Sequence, residues 1–472
     1  MTKNKSPLHF LSLLEAADLI RTRQLSPTEI TKDIFSRIST LDSEFHSFTY
    51  LMQESARRSA ELAEKEIQAG RYLGPLHGIP IGVKDLCYTQ GIPTRGGLHV
   101  LKDFVPKYDA TVISKLKAAS AVIIGKLSLT EGAVGGYHRN YPLPRNPWGQ
   151  DLWPGGSSSG SGIATAAGFC YGSLGSDTGG SIRFPSMACG IVGLKPTYGR
   201  VSRHGILPLA ESMDHVGPMT RTVADAAIMF ECIAGYDSAD STSSTQPVPD
   251  MLVEIEKPIT GLRIGYDPLY ASSNTDPELV VSIEMVLQQL QELGAQLVEV
   301  TMPDISSIRE QWQIICTHEA AKAHEKYFPE KASSYGDFFR DFLEIGYHTS
   351  DLLYRQANKD RNSFNEQLHQ VMSDIDALAC PGGGVPFKIP PNLLYGSMKE
   401  IRSFMADYTY FQFTIPGNFS GLPSLCFPCG ISEKSVPYSM QLMGNKFSEA
   451  VLCRLGHAYQ KVTNWHNYHP DL

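Results

Sequence analysis

Two glycine-rich blocks restrict this chain more than any other feature: Gly155-Gly156-Ser157-Ser158-Ser159-Gly160-Ser161-Gly162 and Asp177-Thr178-Gly179-Gly180-Ser181-Ile182-Arg183-Phe184-Pro185. Glycine at this density favours tight turns and leaves backbone N–H groups unobstructed. Upstream, Gly78-Ile79-Pro80-Ile81-Gly82-Val83-Lys84-Asp85 sets one lysine at the end of an apolar run. Together the three segments supply hydroxyls, an amine able to act as a base, and a row of accessible N–H groups. Those are the parts needed to attack a carbonyl without histidine, and they make the chain an enzyme candidate.

Either block alone could simply be a turn. A phosphate loop requires Gly-x-x-x-x-Gly-Lys-Ser/Thr. Here Gly125-Lys126 is followed by Leu127, and Ser120 stands where the first glycine belongs. Gly156-Ser157-Ser158-Ser159-Gly160 matches the nucleophile elbow G-x-S-x-G, with Ser158 as nucleophile and His457 as nominal base. That reading leaves Lys84 and the second block without a role. Ser114-Lys115-Leu116-Lys117 matches S-x-x-K, but it reads as an ordinary amphipathic helix and lacks the companion motifs.

At 472 residues, with 42% hydrophobic and 19% charged residues, the chain has the composition of a soluble globular protein. No stretch approaches the roughly 18 uninterrupted apolar residues of a spanning helix, and Glu15 and Asp18 interrupt any signal-peptide segment. A cytoplasmic location is the expectation. A net charge of −8 argues against a nucleic-acid surface. Nine scattered cysteines fit reduced thiols, and Cys426-Phe427-Pro428-Cys429, lacking a second CxxC, reads as structural. No metal and no cofactor are expected.

Residues 1–70 read as a helical region. Ser26-Pro27-Thr28-Glu29 is a capping box with proline at the first helical position. Ile30, Ile34 and Ile38 then form a stripe, and a further helix spans 52–69 before Gly70. Residues 74–218 form a glycine-dense core with buried strands at 79–83 and 121–124, and a small-residue helix over 163–167. An exposed loop at 237–249 follows. A strand at 262–266, a helix carrying Ile283, Val286, Leu287, Leu290 and Leu293, and a strand at 296–300 indicate an α/β sheet. Residues 305–372 are polar and helical, a cover for one side of that sheet. Strands at 377–380, 424–428 and 440–443 and a helix over 448–462 complete a chain expected to be one domain.

On these motifs the chain resembles the amidase signature family. Both glycine blocks, their separation, and Lys84 in its apolar segment match the family hallmark. Gly193-Leu194-Lys195-Pro196-Thr197, Gly217-Pro218-Met219, Gly421-Leu422-Pro423 and Gln441-Leu442-Met443-Gly444 extend the match nearly end to end. The resemblance implies a mixed β-sheet covered by helices on both faces. It also implies a Ser–cis-Ser–Lys triad of Ser181 as nucleophile, Ser157 as the bridging serine with a cis peptide bond, and Lys84 as base. The oxyanion hole would fall on the N–H groups of Thr178, Gly179, Gly180 and Ser181, with Asp177 and Arg183 holding the loop behind them. Tyr137, His138 and Trp153 flank the serine block and are candidates for a substrate pocket.

The chemistry sets a requirement on Lys84. A lysine with an ordinary pKa of about 10.4 is almost never neutral at pH 7. Bringing it to about 7–8 costs about 3–5 kcal/mol, which burial among apolar neighbours such as Ile81, Val83 and Leu86 can supply. Asp85, the next residue on a strand, is expected to point away from it.

The resemblance implies an amidohydrolase acting on a small linear amide through an acyl-enzyme, with a homodimer left open. Two alternatives stand: the glutaminase component of a tRNA-dependent amidotransferase, and an inactive binding protein on the same scaffold. Ser128-Leu129-Thr130-Glu131-Gly132 departs from that glutaminase's Asn-Met-Asp-Glu-Phe. Ser159 and Gly162 depart from its usual glycine and alanine. These departures favour a free-standing hydrolase, and retention of Lys84, Ser157 and Ser181 argues against an inactive scaffold.

Overall fold

One mixed sheet runs through the molecule, in a computed structural model that describes residues 7–406, 408 and 410–472. Its strands are β1 (Phe48–Leu51), β2 (Pro80–Lys84), β3 (Val122–Leu127), β4 (Gly172–Asp177), β5 (Val192–Lys195), β6 (His215–Thr220), β7 (Arg263–Tyr266), β8 (Gln296–Glu299), β9 (Ala377–Pro381), β10 (Ser424–Ile431) and β11 (Pro437–Gly444). The spatial order is β1-β3-β2-β4-β6-β5-β10-β11-β9-β7-β8. β3, β2 and β4 run parallel, β4 through β9 pair antiparallel, and β9, β7 and β8 are parallel again. Every residue of β2, β3, β4, β5, β6, β9 and β11 is buried, so helices cover both faces of the central sheet.

The N-terminal helix Pro27–Phe45 starts where its capping box predicts. Ser26 Oγ accepts from the Glu29 N–H, the Glu29 carboxylate accepts in return, and Ile30, Ile34 and Ile38 are buried. The polar stretch expected as a cover contains three helices, Ile308–Ala323, Asp337–His348 and Asp351–Met372. Glu319 in the first of them accepts the Tyr354 hydroxyl from the third at 2.8 Å.

β4 has no apolar run to announce it, for its sequence is Gly-Ser-Leu-Gly-Ser-Asp. Its neighbours explain the choice of small residues. A Cβ on Gly172 would meet Met229 Sδ at 2.4 Å, and one on Gly175 would meet Met219 Sδ at 2.7 Å and Ser158 Oγ at 3.0 Å. The strand is defined by what packs on it. The helix Ser159–Ala166 likewise begins inside the first glycine block, four residues before the predicted start. Cys426 and Cys429 are buried on β10, and burial pushes the Cys426 thiol up to about 12, as expected of structural thiols.

Candidate active site

Parallel strands β2 and β4 end side by side, and the residues singled out by sequence sit just beyond their carboxyl ends, where open α/β sheets offer a crevice. Lys84 closes β2, Ser176 and Asp177 close β4, and Ser157 and Ser158 enter the helix Ser159–Ala166. The loop from Thr178 to Ile182 leads into the helix Arg183–Cys189.

Lys84 is fully buried, and its Nζ lies 2.7 Å from Ser157 Oγ, 2.8 Å from Ser158 Oγ and 2.8 Å from Ser176 Oγ. Burial lowers its pKa to about 7, against the opposing pull of Cys87, Asp177 and Asp214. Asp85 makes no bond to it. That carboxylate instead faces Lys126 Nζ at 3.6 Å and accepts the Arg95 N–H at 3.3 Å.

The three hydroxyls around Nζ are not equivalent. Ser158 Oγ accepts from Lys84 and from the Ser176 N–H (3.2 Å), and donates its proton to the Ser176 carbonyl (3.1 Å). Its capacity of one donation and two acceptances is used up. Among the described residues, Ser157 Oγ has Lys84 as its one side-chain partner, so its proton is free to move. Ser157 and Ser181 line one cleft, whereas Ser158 lies behind it. The elbow reading therefore fails: Ser158 is saturated, and His457 pairs with Glu256 at 2.9 Å beside a separate crevice. The Gly156–Ser157 peptide bond is cis, and no hydrogen bond joins the Ser157 and Ser181 hydroxyls among the described residues.

The backbone of the second block is held at successive peptide units. Trp312 Nε1 donates to the Thr178 carbonyl at 2.9 Å, and Thr414 Oγ1 donates to the Gly179 carbonyl at 2.6 Å. The Gly180 N–H donates to Asp177 Oδ1 at 2.8 Å, which takes Gly180 out of the expected set of oxyanion donors. The N–H groups of Thr178, Gly179 and Ser181 find no acceptor among the described residues. Gly179 and Gly180 also serve a purpose the sequence did not disclose. A Cβ on Gly179 would strike the Trp312 ring at 2.8 Å; Gly180, at φ +129°, would place one 2.5 Å from the Phe184 ring.

Asp177 and Arg183 form a fully buried pair. Arg183 Nε donates to Oδ2 at 3.1 Å and Nη2 to Oδ1 at 3.0 Å. Asn418 bridges the pair, accepting from Arg183 at 2.6 Å and donating to Asp177 at 2.9 Å. Burial alone would raise the Asp177 pKa, but the Arg183 charge and hydrogen bonds, with Lys195 and Asn418, hold it well below the usual carboxylate range. Asp214, which accepts the Thr178 hydroxyl at 2.6 Å, is pushed up to about 6 by burial.

Of the three expected pocket residues, Trp153 lines the cleft; Tyr137 and His138 do not. Tyr137 is buried with its hydroxyl donating to Ser159 Oγ at 2.8 Å, and His138 stacks on His99 beside another crevice. The cleft wall comes mostly from distant segments, including Trp312, Phe338, Phe342 and Phe411, with Arg309 and Arg402 among them. Trp312 could have been flagged in the sequence as one of only four tryptophans, set in a polar helix. Ser176 adjoins the second block, but nothing local marks Thr414 or Asn418.

An α/β sheet that buries a lysine under serine hydroxyls beside an aromatic cleft defines a hydrolase with a Ser-Ser-Lys arrangement. The chain belongs to the amidase family, whose profile matches residues 29–453, and it is an amidohydrolase of that family. It is 42% identical over 464 residues to the "Putative amidase AmiD" of Mycobacterium tuberculosis, spanning 98% of this chain and 96% of that one. It is 37% identical over 490 residues to the A-subunit of the glutamyl-tRNA(Gln) amidotransferase of Chloroflexus aggregans, spanning 98% and 99%. Among solved structures, the native peptide amidase of Stenotrophomonas maltophilia superposes with a TM-score of 0.85 at 29% identity, covering 97% of this chain and 98% of that one.

Proposed function

We propose that this chain hydrolyses a linear carboxylic amide through an acyl-enzyme on Ser181. The observation that carries the reading is Lys84 Nζ, held 2.7 Å from a Ser157 hydroxyl that lines the same cleft as Ser181. Neutral Lys84 takes the Ser157 proton, Ser157 takes that of Ser181, and the Ser181 oxygen bonds to the amide carbon. The Gly179 and Ser181 N–H groups, with Thr178 alongside, receive the developing oxyanion. Each such donor is worth about 2.7–4 kcal/mol in the transition state. The proton returns through Ser157 to the departing amine as the C–N bond breaks. Water, activated by the same relay, then cleaves the ester to give the carboxylic acid and restore Ser181.

The test uses the isolated chain with a fluorophosphonate probe and a panel of primary amides and anilides. Labelling and turnover by the parent, both lost in Ser181→Ala, support the reading. Absence of both overturns it. The likeness to the Chloroflexus protein supports a second reading, a glutaminase working within an amidotransferase. Glutamine hydrolysis appearing only with the other amidotransferase components and tRNA would favour it.

A further inference from the structure

We propose that this cleft selects amides whose apolar or aromatic body carries a free carboxylate, and that Arg309 and Arg402 receive that carboxylate. The inference rests on the hydrolase reading above and adds the substrate class. The cleft wall around the serines is aromatic and aliphatic, built from residues such as Trp153, Phe184, Trp312, Phe338 and Phe411. Among the described residues, its only charged lining groups are the two arginines, in a chain whose net charge is −8. An apolar pocket with a few convergent polar groups is the usual form of a small-molecule site, those groups fixing ligand orientation.

Exposed Arg309 and half-buried Arg402, at the cleft, differ from the buried and half-buried arginines held elsewhere in the fold. Arg183 is held by Asp177, Arg200 by the Gln246 and Pro247 carbonyls, Arg221 by those of Thr165 and Cys170, and Arg361 by Phe419 and Ser212. Among the described residues, neither Arg309 nor Arg402 makes a hydrogen bond or an ion pair. Arg309 instead lies over the Phe411 ring, 5.4 Å from its centroid. Arg402 is half-buried, and burial, followed by the neighbouring Arg309 charge, lowers its pKa to about 10, so it stays cationic at neutral pH. Two like charges that meet no acid among the described residues favour a bound anion. A planar carboxylate matches the guanidinium fork.

The experiment compares two matched substrate sets. One comprises para-nitroanilides of 3-arylpropionic acids bearing a ring carboxylate or a ring methyl. The other comprises hydrocinnamoyl anilides bearing a carboxylate or a methyl on the aniline. In one set the carboxylate member is expected to have a kcat/KM about tenfold or more above its methyl partner. That ratio is expected to fall toward one in Arg309→Gln/Arg402→Gln and to recover in part in Arg402→Lys. Methyl members turned over as well as carboxylates in both sets would overturn the inference and leave the hydrolase reading intact. If nothing is turned over and Ser181 takes no fluorophosphonate, the hydrolase reading fails. The arginines are then judged by calorimetric binding of the free carboxylate- and methyl-bearing acids to Ser181→Ala. Tighter binding of the ring-carboxylate acid, lost in the double-arginine background, supports the inference, and equal binding overturns it.

Discussion

The indole N–H of Trp312 donates to the carbonyl of Thr178 at 2.9 Å, joining residues 134 positions apart. Within one trans peptide unit the C=O and N–H point in opposite directions. Fixing the Thr178 oxygen against the indole therefore aims the Gly179 N–H the other way. A helix from the cover thus sets the direction of a donor in the loop proposed to receive the oxyanion.

Trp312→Phe keeps most of the ring and deletes that hydrogen bond. A net loss of about 1.4 kcal/mol, a typical figure for one hydrogen bond, is about tenfold in rate. We expect kcat to fall by about that factor, with fluorophosphonate labelling retained but slower. Steady-state kinetics and labelling rates check it.

Lys84 must be uncharged to accept a proton, and its folded pKa is lowered to about 7. Activity is therefore expected to be low in acid, to rise through about pH 7, and to level above it. Lys84→Ala should lose about 10²–10⁴-fold in kcat and the limb near pH 7 with it. A pH–rate profile of both proteins checks this.

Ser157 and Ser158 both touch Lys84, yet only Ser157 has a free proton and lines the cleft. Ser157→Ala is expected to cost far more activity than Ser158→Ala. The latter strips an acceptor from the Ser176 N–H and from Lys84, so it should lower stability by about 1–3 kcal/mol. Paired kinetics and urea unfolding separate the two roles.

Asp177→Asn leaves the buried Arg183 charge without its anion, a change that costs about 3–5 kcal/mol in comparable pairs. The folded pKa of Asp177 lies below its unfolded value. The pair's contribution is therefore present above about pH 3.9 and is lost as pH falls through the folded pKa. Thermal unfolding of the variant at neutral pH, and of the parent on acidification, tests both statements.

Glu131 shows the opposite sign. Burial pushes its carboxyl up to about 8, although it accepts the Gly336 N–H at 2.9 Å. Its stabilising contribution is complete below an unfolded pKa of about 4.3 and declines as pH rises to about 8. Glu131→Gln should flatten that decline in urea midpoints measured from pH 4 to pH 9.

The parts of this fold legible in the sequence are those whose evidence is local. The capping box at Ser26, the isoleucine stripe behind it and the apolar run before Lys84 need no knowledge of distant contacts. β4 was illegible because its glycines answer Met219 and Met229, which no local pattern reveals. At the site, the motifs single out Lys84, Ser157 and Ser181, whose proposed roles await test, but give no sign of the restraints on the loop. Trp312, Thr414 and Asn418 reach it from segments more than a hundred residues away. Tyr137 and His138 lie near the serine block in sequence, whereas the cleft is walled by segments far along the chain.

Dependence on Trp312 and Thr414 divides the site between two stretches of chain. Lys84 and the hydroxyls around it come from residues 84–176, whereas the restraints on the Thr178 and Gly179 carbonyls come from residues 312 and 414. A perturbation that loosens those later helices alone would leave the buried amine among its hydroxyls and free the glycine loop, so turnover would be lost while the lysine stays in place.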